Sequence, residues 1–215
     1  MLCSLTFSLL LLAPAAHAQL QVSSLTAVAV PARLPHTGSV VQALRYTDRT
    51  GTYTVLATQV APRIPPGKTA DDGPSADLYA YQYPAASTAP SWQLHDYVAG
   101  CPLDLQARFC AKGLSVTDLN QDGTAEVWLV YRTVCRGDVS PSTQKIIMYE
   151  GSRKYAVRGT SRLATGPGQY SGGTYTLDAI WQAAPAAFRQ HAAQIWQQHL
   201  IENSAENYET DVLRK

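Results

Sequence analysis

Apolar and polar residues alternate with a period of two over most of this chain, the spacing that strands impose on their two faces. Residues 40–61 (VVQALRYTDRTGTYTVLATQVA) read as two strands around a turn at residues 48–51. In the second of them Tyr53, Val55, Ala57 and Gln59 share one face, and Thr54, Leu56, Thr58 and Val60 the other. Residues 22–30 alternate weakly and give a first strand. Residues 77–83 place Tyr79, Tyr81 and Tyr83 on one face, and residues 92–98 form the next strand. Residues 114–117 and 126–134 then flank a polar loop; the second run is apolar on both faces as far as Arg132, the pattern of a central strand. Residues 145–150 and 154–158 flank Gly151-Ser152-Arg153 as a hairpin. Residues 62–74 and 159–177 are rich in breakers and read as connections, with a short strand at 174–177.

The period changes to 3.6 only near the end. Ala184, Phe188, Ala192, Ile195 and His199, with Trp196 beside them, form one stripe, and Pro185 suits a first helical turn. The pattern predicts an α+β, mainly β fold: an antiparallel sheet with a central hairpin, and a C-terminal amphipathic helix docked on it. Residues 19–215 form one domain, with 203–215 a polar, frayed tail.

Residues 1–18 change the compartment. An apolar run from Leu5 to Pro14 ends at Ala16-His17-Ala18, a small-x-small cleavage pattern of a secretory leader. The run is too short to span a bilayer, and no second long apolar run follows. The expected product is therefore secreted or periplasmic, with no transmembrane segment once the leader is removed. An oxidising destination makes a disulfide among Cys101, Cys110 and Cys135 expected. Cys101 with Cys135 is the favoured pairing, because it ties the segment before the central hairpin to its far end; Cys101 with Cys110 is the next.

Lys and Arg total 17 against 16 Asp and Glu, so no global field draws nucleic acid. The balance is local: residues 127–165 carry seven basic side chains and two acidic ones. Arg132, Arg136 and Lys145 are the candidate contacts for an anionic ligand such as an acidic glycan. The plainer alternative is charged strand edges that discourage association.

The strongest chemical signal is DLNQDGTAE at residues 118–126. Asp118, Asn120 and Asp122 stand at positions 1, 3 and 5, Gly123 makes the bend, Thr124 offers a backbone carbonyl at position 7, and Glu126 stands at position 9. Oxygen ligands at alternate positions around a glycine are how a short loop wraps calcium. An EF-hand requires a bidentate glutamate at position 12 and flanking helices; here position 12 is Leu129 and the flanks are strands. The competing reading is a ligand-free turn, which Asp, Asn and Gly also favour. Arg136-Gly137-Asp138 reads as a turn, and His95 and Asp96, being adjacent on a strand, point to opposite faces. The glycines after Arg158 lack the spacing of a phosphate loop.

The loop and its strands resemble the calcium hairpin of integrin-type FG-GAP repeats, present here in a single copy. Residues 116–159, with the later APAAFRQHAAQIW, also resemble a family of secreted bacterial proteins labelled surface polysaccharide biosynthesis proteins. The matching residues are Asp118, Gly123, Glu126, Trp128, Cys135, Asp138, Ser140, Pro141, Met148, Tyr149, Glu150 and Gly151. The resemblance implies a non-enzymatic protein of the cell envelope that works on surface polysaccharide, its partner an acidic glycan or an envelope protein. Two alternatives remain: a glycan hydrolase whose site gathers dispersed residues, and a structural partner in an envelope complex.

Overall fold

A computed structural model describes residues 19–202. The leader expected at 1–18 and the tail expected at 203–215 lie outside the described residues. The chain first builds a five-stranded antiparallel meander: β1 (Gln21–Leu25), β2 (Ser39–Asp48), β3 (Gly51–Arg63), β4 (Ser75–Pro84) and β5 (Trp92–Val98), neighbours in space in that order. A second five-stranded sheet follows, from β6 (Asp104–Thr117), β7 (Glu126–Arg136), β8 (Thr143–Glu150) and β9 (Arg153–Thr160). The glycine-rich stretch expected to be a connection forms a small hairpin, β10 (Arg162–Gly166) with β11 (Gln169–Gly172). Then β12 (Tyr175–Leu177) returns to pair with β9, and the sheet order is β12-β9-β8-β7-β6. The α-helix α1 (Ala186–Gln198), entered through Pro185, comes next, and residues 199–202 complete the described chain.

The class is the expected one, α+β and mainly β, with the helix at the C-terminus. The sheet, however, is two sheets packed face to face. Leu44, Val55 and Leu78 of the first meet Val127, Leu129 and Ile147 of the second in one buried cluster. The opposite face of the second sheet carries Trp128, Val130, Ile146 and Met148, and these are covered by Phe188, Ile195 and Trp196 of α1 and by Trp181. That is why β7 is apolar on both faces: one lies between the sheets, the other under the helix. The outer face of the first sheet is partly covered too. Tyr81 and Tyr83 are buried beneath the segment before β2, where the Thr37 N–H donates to the Tyr81 hydroxyl at 3.2 Å and the Tyr83 hydroxyl donates to the Pro35 carbonyl.

Strand β6 begins ten residues before the expected start at Leu114. A bulge between Phe109 and Leu114 interrupts its pairing with β7, and Lys112 takes a positive φ of 55° there. The backbone groups freed by the bulge are met by side chains of the first sheet. Gln42 donates to the Cys110 carbonyl at 2.8 Å and accepts from the Leu114 N–H at 3.0 Å, while Gln59 accepts from the Phe109 N–H at 2.8 Å. Gly113 is required at this bend: a Cβ there would stand 2.7 Å from the Val130 carbonyl oxygen. Cys101 and Cys135 form the disulfide, Cα atoms 5.7 Å apart, and Cys110, outside it, is buried on the helix side of the sheet.

Candidate functional site

The register pairs Thr117 with Glu126, so residues 118–125 are the loop that joins β6 to β7. Each oxygen-bearing side chain at its odd positions folds the backbone ahead of it. Asp118 accepts from the Gly123 N–H at 3.1 Å, Asn120 from the Asp122 N–H at 3.2 Å, and Asp122 from the Thr124 N–H at 2.7 Å. Gln121 and Gly123 both take positive φ, 57° and 80°, which closes the curve. Asp118 uses Oδ2 for its bond; its Oδ1 is buried and has no partner. The Asn120 amide bridges Asp122 and Glu150, 3.1 Å from a carboxylate oxygen of each.

Glu126 is fully buried and turned back on the strands. It accepts from the Thr117 hydroxyl at 2.6 Å and the Leu119 N–H at 3.0 Å, and the Thr117 oxygen in turn accepts from the Trp128 indole at 2.8 Å. Burial pushes the Glu126 carboxyl above the usual carboxylate range, the nearby charges of Asp118 and Glu150 push the same way, and the two hydrogen bonds offset only part of this. Among the described residues no three His, Cys, Asp or Glu side chains converge as a ready metal-holding group. Of the five expected ligands, then, Asp118, Asn120 and Asp122 line the loop, Glu126 faces its own strands, and the Thr124 hydroxyl accepts from Arg49 at 3.4 Å.

Arg49 and its neighbour Asp48 were legible in the sequence only as turn residues. Their hairpin, β2–β3, holds the loop from the side. The Arg49 N–H donates to the Gly123 carbonyl at 2.9 Å, the Arg49 guanidinium to the Asp122 carbonyl at 3.0 Å, and the Ala125 N–H to Asp48 at 2.9 Å. The other Asp48 oxygen caps its own turn, accepting from Thr50 and Gly51. On its open side the loop borders a cleft of about 590 Å³, whose other walls are Glu150, Arg153, Ala183 and Pro185.

The three cations proposed for an anionic ligand are not brought to one surface. Lys145 lies between the sheets, paired with Asp96 at 2.5 Å and near the Tyr131 ring. Arg132 points to the other face, is 2% exposed, and donates to Gln144 and to the carbonyls of His199 and Ile201. Arg136 pairs with Glu202 at 2.9 Å and donates to the Ser140 carbonyl. In each case the charge is met by the chain itself. The expected tripeptide turn at 136–138 is present, with Asp138 accepting from the Ser140 N–H at 3.0 Å. The tyrosine row on β4 continues onto β5: the rings of Tyr79 and His95 stack at 4.3 Å, and those of His95 and Tyr97 at 5.3 Å. Asp77, held ionised between His95 and Arg63, lies beside them.

Compared with known proteins, the chain matches no family model, no curated protein and no solved structure. What the molecule itself defines is a two-sheet β protein with a disulfide and a helix-covered back. No helix among the described residues is long and apolar enough to cross a membrane. The disulfide is compatible with an oxidising, extracytoplasmic compartment.

Proposed function

We propose that this is a non-enzymatic protein of the cell envelope, secreted or periplasmic, that binds surface polysaccharide and takes one calcium ion in the loop of residues 118–126. The observation that carries the calcium reading is the buried, unpartnered Oδ1 of Asp118. It belongs to a loop already folded by Asp118, Asn120 and Asp122, and Asp118 and Glu150 lie close enough to buried Glu126 to raise its proton affinity further. A cation at Asp118 supplies the missing partner and relieves that repulsion. Asp118, Asn120 and Asp122 would hold it through side chains and Thr124 through its carbonyl. The ion's part is to stiffen the loop. The polysaccharide reading rests on the resemblance of residues 116–159, and the exposed His95 and Tyr97 rings, in a row with half-buried Tyr79, supply aromatic surface of the kind that stacks on sugars.

Calorimetry at millimolar calcium tests the ion. The expected Kd is on the order of 10⁻⁴–10⁻³ M, as for extracellular modules, with a rise in Tm that Asp118→Asn abolishes. No heat and an unmoved Tm would remove calcium from the reading. Retention on immobilised anionic surface polysaccharide, against a neutral glucan, tests the partner; equal passage through both columns would remove that.

A further inference from the structure

The last described residues, 199–202, are held against the second sheet. After α1 the Arg162 N–H donates to the Leu200 carbonyl at 2.7 Å and the Glu202 N–H to the Arg162 carbonyl at 2.9 Å, so Ile201 makes a single parallel bridge with Arg162 at the start of β10. The Glu202 side chain is 0% exposed and receives four donors. One oxygen takes the Arg136 guanidinium at 2.9 Å and the Ser142 hydroxyl at 2.9 Å; the other takes the Ser161 hydroxyl at 2.6 Å and the Ser142 N–H at 3.1 Å. Every donor comes from the second sheet and its loops. The slot is thus part of the sheet, and Glu202 is its occupant. Burial alone would raise the Glu202 carboxyl, but the bonds from Ser161, Ser142 and Arg136 outweigh it and hold the group below the usual range, as an anion.

The donor set selects a planar carboxylate. Two donors face each of two oxygens, and a phosphate or sulfate would bring a third oxygen with no donor in this set. Behind the slot Arg132 donates to the His199 and Ile201 carbonyls, and Gln144, itself 0% exposed, leaves its Nε2 without a partner. In front, a cleft of about 390 Å³ is lined by Arg136, Ser140, Pro141 and Thr143, so Arg136 is reached from solvent on that side.

We propose that Arg136, Ser142 and Ser161 form a carboxylate-binding site which the chain's own Glu202 keeps closed, and that a uronate of an acidic saccharide takes the same site when residues 199–202 are displaced. This rests on the polysaccharide reading above and gives its acidic ligand a place. The tethered carboxylate competes at an effective concentration in the millimolar range or higher. The wild-type chain therefore binds a uronate weakly, its affinity reduced by the small fraction of open slots.

Chemical rescue of Glu202→Ala tests the site. The variant loses roughly 10 °C in Tm. Sodium acetate restores part of the loss beyond sodium chloride of equal ionic strength, and the double variant R136A/E202A shows no acetate-specific gain. Oligogalacturonate then binds E202A at least tenfold more tightly than the wild type, by calorimetry. Should E202A fail to fold, Glu202→Gln, which keeps the volume, takes its place in the oligogalacturonate comparison. Equal action of acetate and chloride on folded E202A would overturn the carboxylate site. Equal oligogalacturonate binding by wild type and variant would overturn the slot while leaving the polysaccharide reading standing. Acetate rescue with no oligogalacturonate binding by either protein would overturn the saccharide as ligand and, with it, the acidic form of that reading.

Discussion

Glu126 is buried beside two other carboxylates, with one hydroxyl and one amide donating to it. Replacing it by Gln keeps acceptors for Thr117 and Leu119 and removes the charge. At pH 7 without calcium, Glu126→Gln should raise Tm by about 2–4 °C, the shift that ~1 kcal/mol produces in a chain of this size. The variant should also show a smaller calcium-induced rise. The pH dependence has a definite sign. A carboxyl raised in the folded state binds its proton more tightly folded than unfolded, so the wild type gains stability as pH falls from neutral toward the folded value. The gain is complete below the unfolded value of about 4.3. Glu202 acts in the opposite sense: held low, it contributes stability above about 4.3 and loses it as pH falls through the folded value. Thermal unfolding of Glu126→Gln and Glu202→Gln from pH 3 to 8 separates the two. Identical slopes in all three proteins would refute both assignments.

Among the elements, β6 shows best where sequence patterning stops. Its second half was legible from Leu114 onward; its first half alternates from Asp104 to Phe109, but the pattern then breaks at Cys110–Gly113, and the sequence reading began the strand only after that break. Lys112-Gly113 looks like a break, yet the strand passes through it because Gln42 and Gln59, 50 to 72 residues earlier than the groups they bond, supply the bonds that the bulge withdraws. No local pattern encodes such a partner. Gln59→Leu or Gln42→Leu should each cost about 1–3 kcal/mol, the penalty for a buried backbone group left unpaired, readable as a lower urea midpoint. A loss well under 0.5 kcal/mol would mean that water reaches the bulge. The loop of residues 118–125 is the reverse case. Its turn was legible because Asp118, Asn120, Asp122 and Gly123 act on their own backbone, whereas the turning of Glu126 onto its own strands and the docking of Arg49 and Asp48 depend on tertiary packing. The basic cluster was legible as charge, but its partners Asp96 and Glu202 lie 49 and 66 residues away in the chain.

For the whole molecule, strand periodicity predicted nearly every strand but could not say how many sheets they make, because a meander reads alike whether it continues or folds over. The fold-over comes at residues 99–103, and the disulfide sits there, joining Cys101 to Cys135 across 34 positions. Closing a loop of that length is worth about 3–4 kcal/mol in the chain-entropy model. Cys101→Ala with Cys135→Ala should therefore lower Tm by roughly 10 °C. A reductant should do the same to the wild type and nothing to the double variant; indifference of the wild type to reductant would argue against the bond.

The Gln42 and Gln59 bonds add a polar requirement to an interface that both sheets need. Divided between β5 and β6, each piece would expose its half of the shared apolar cluster, and the second would in addition hold the Phe109 and Leu114 amides open. Expressed as two pieces divided there, each made alone should collect in aggregates, and the pair made together should be recovered dispersed. The protein would then behave as two clients carried on one chain, and Gln42→Leu in the N-terminal piece should weaken their mutual rescue.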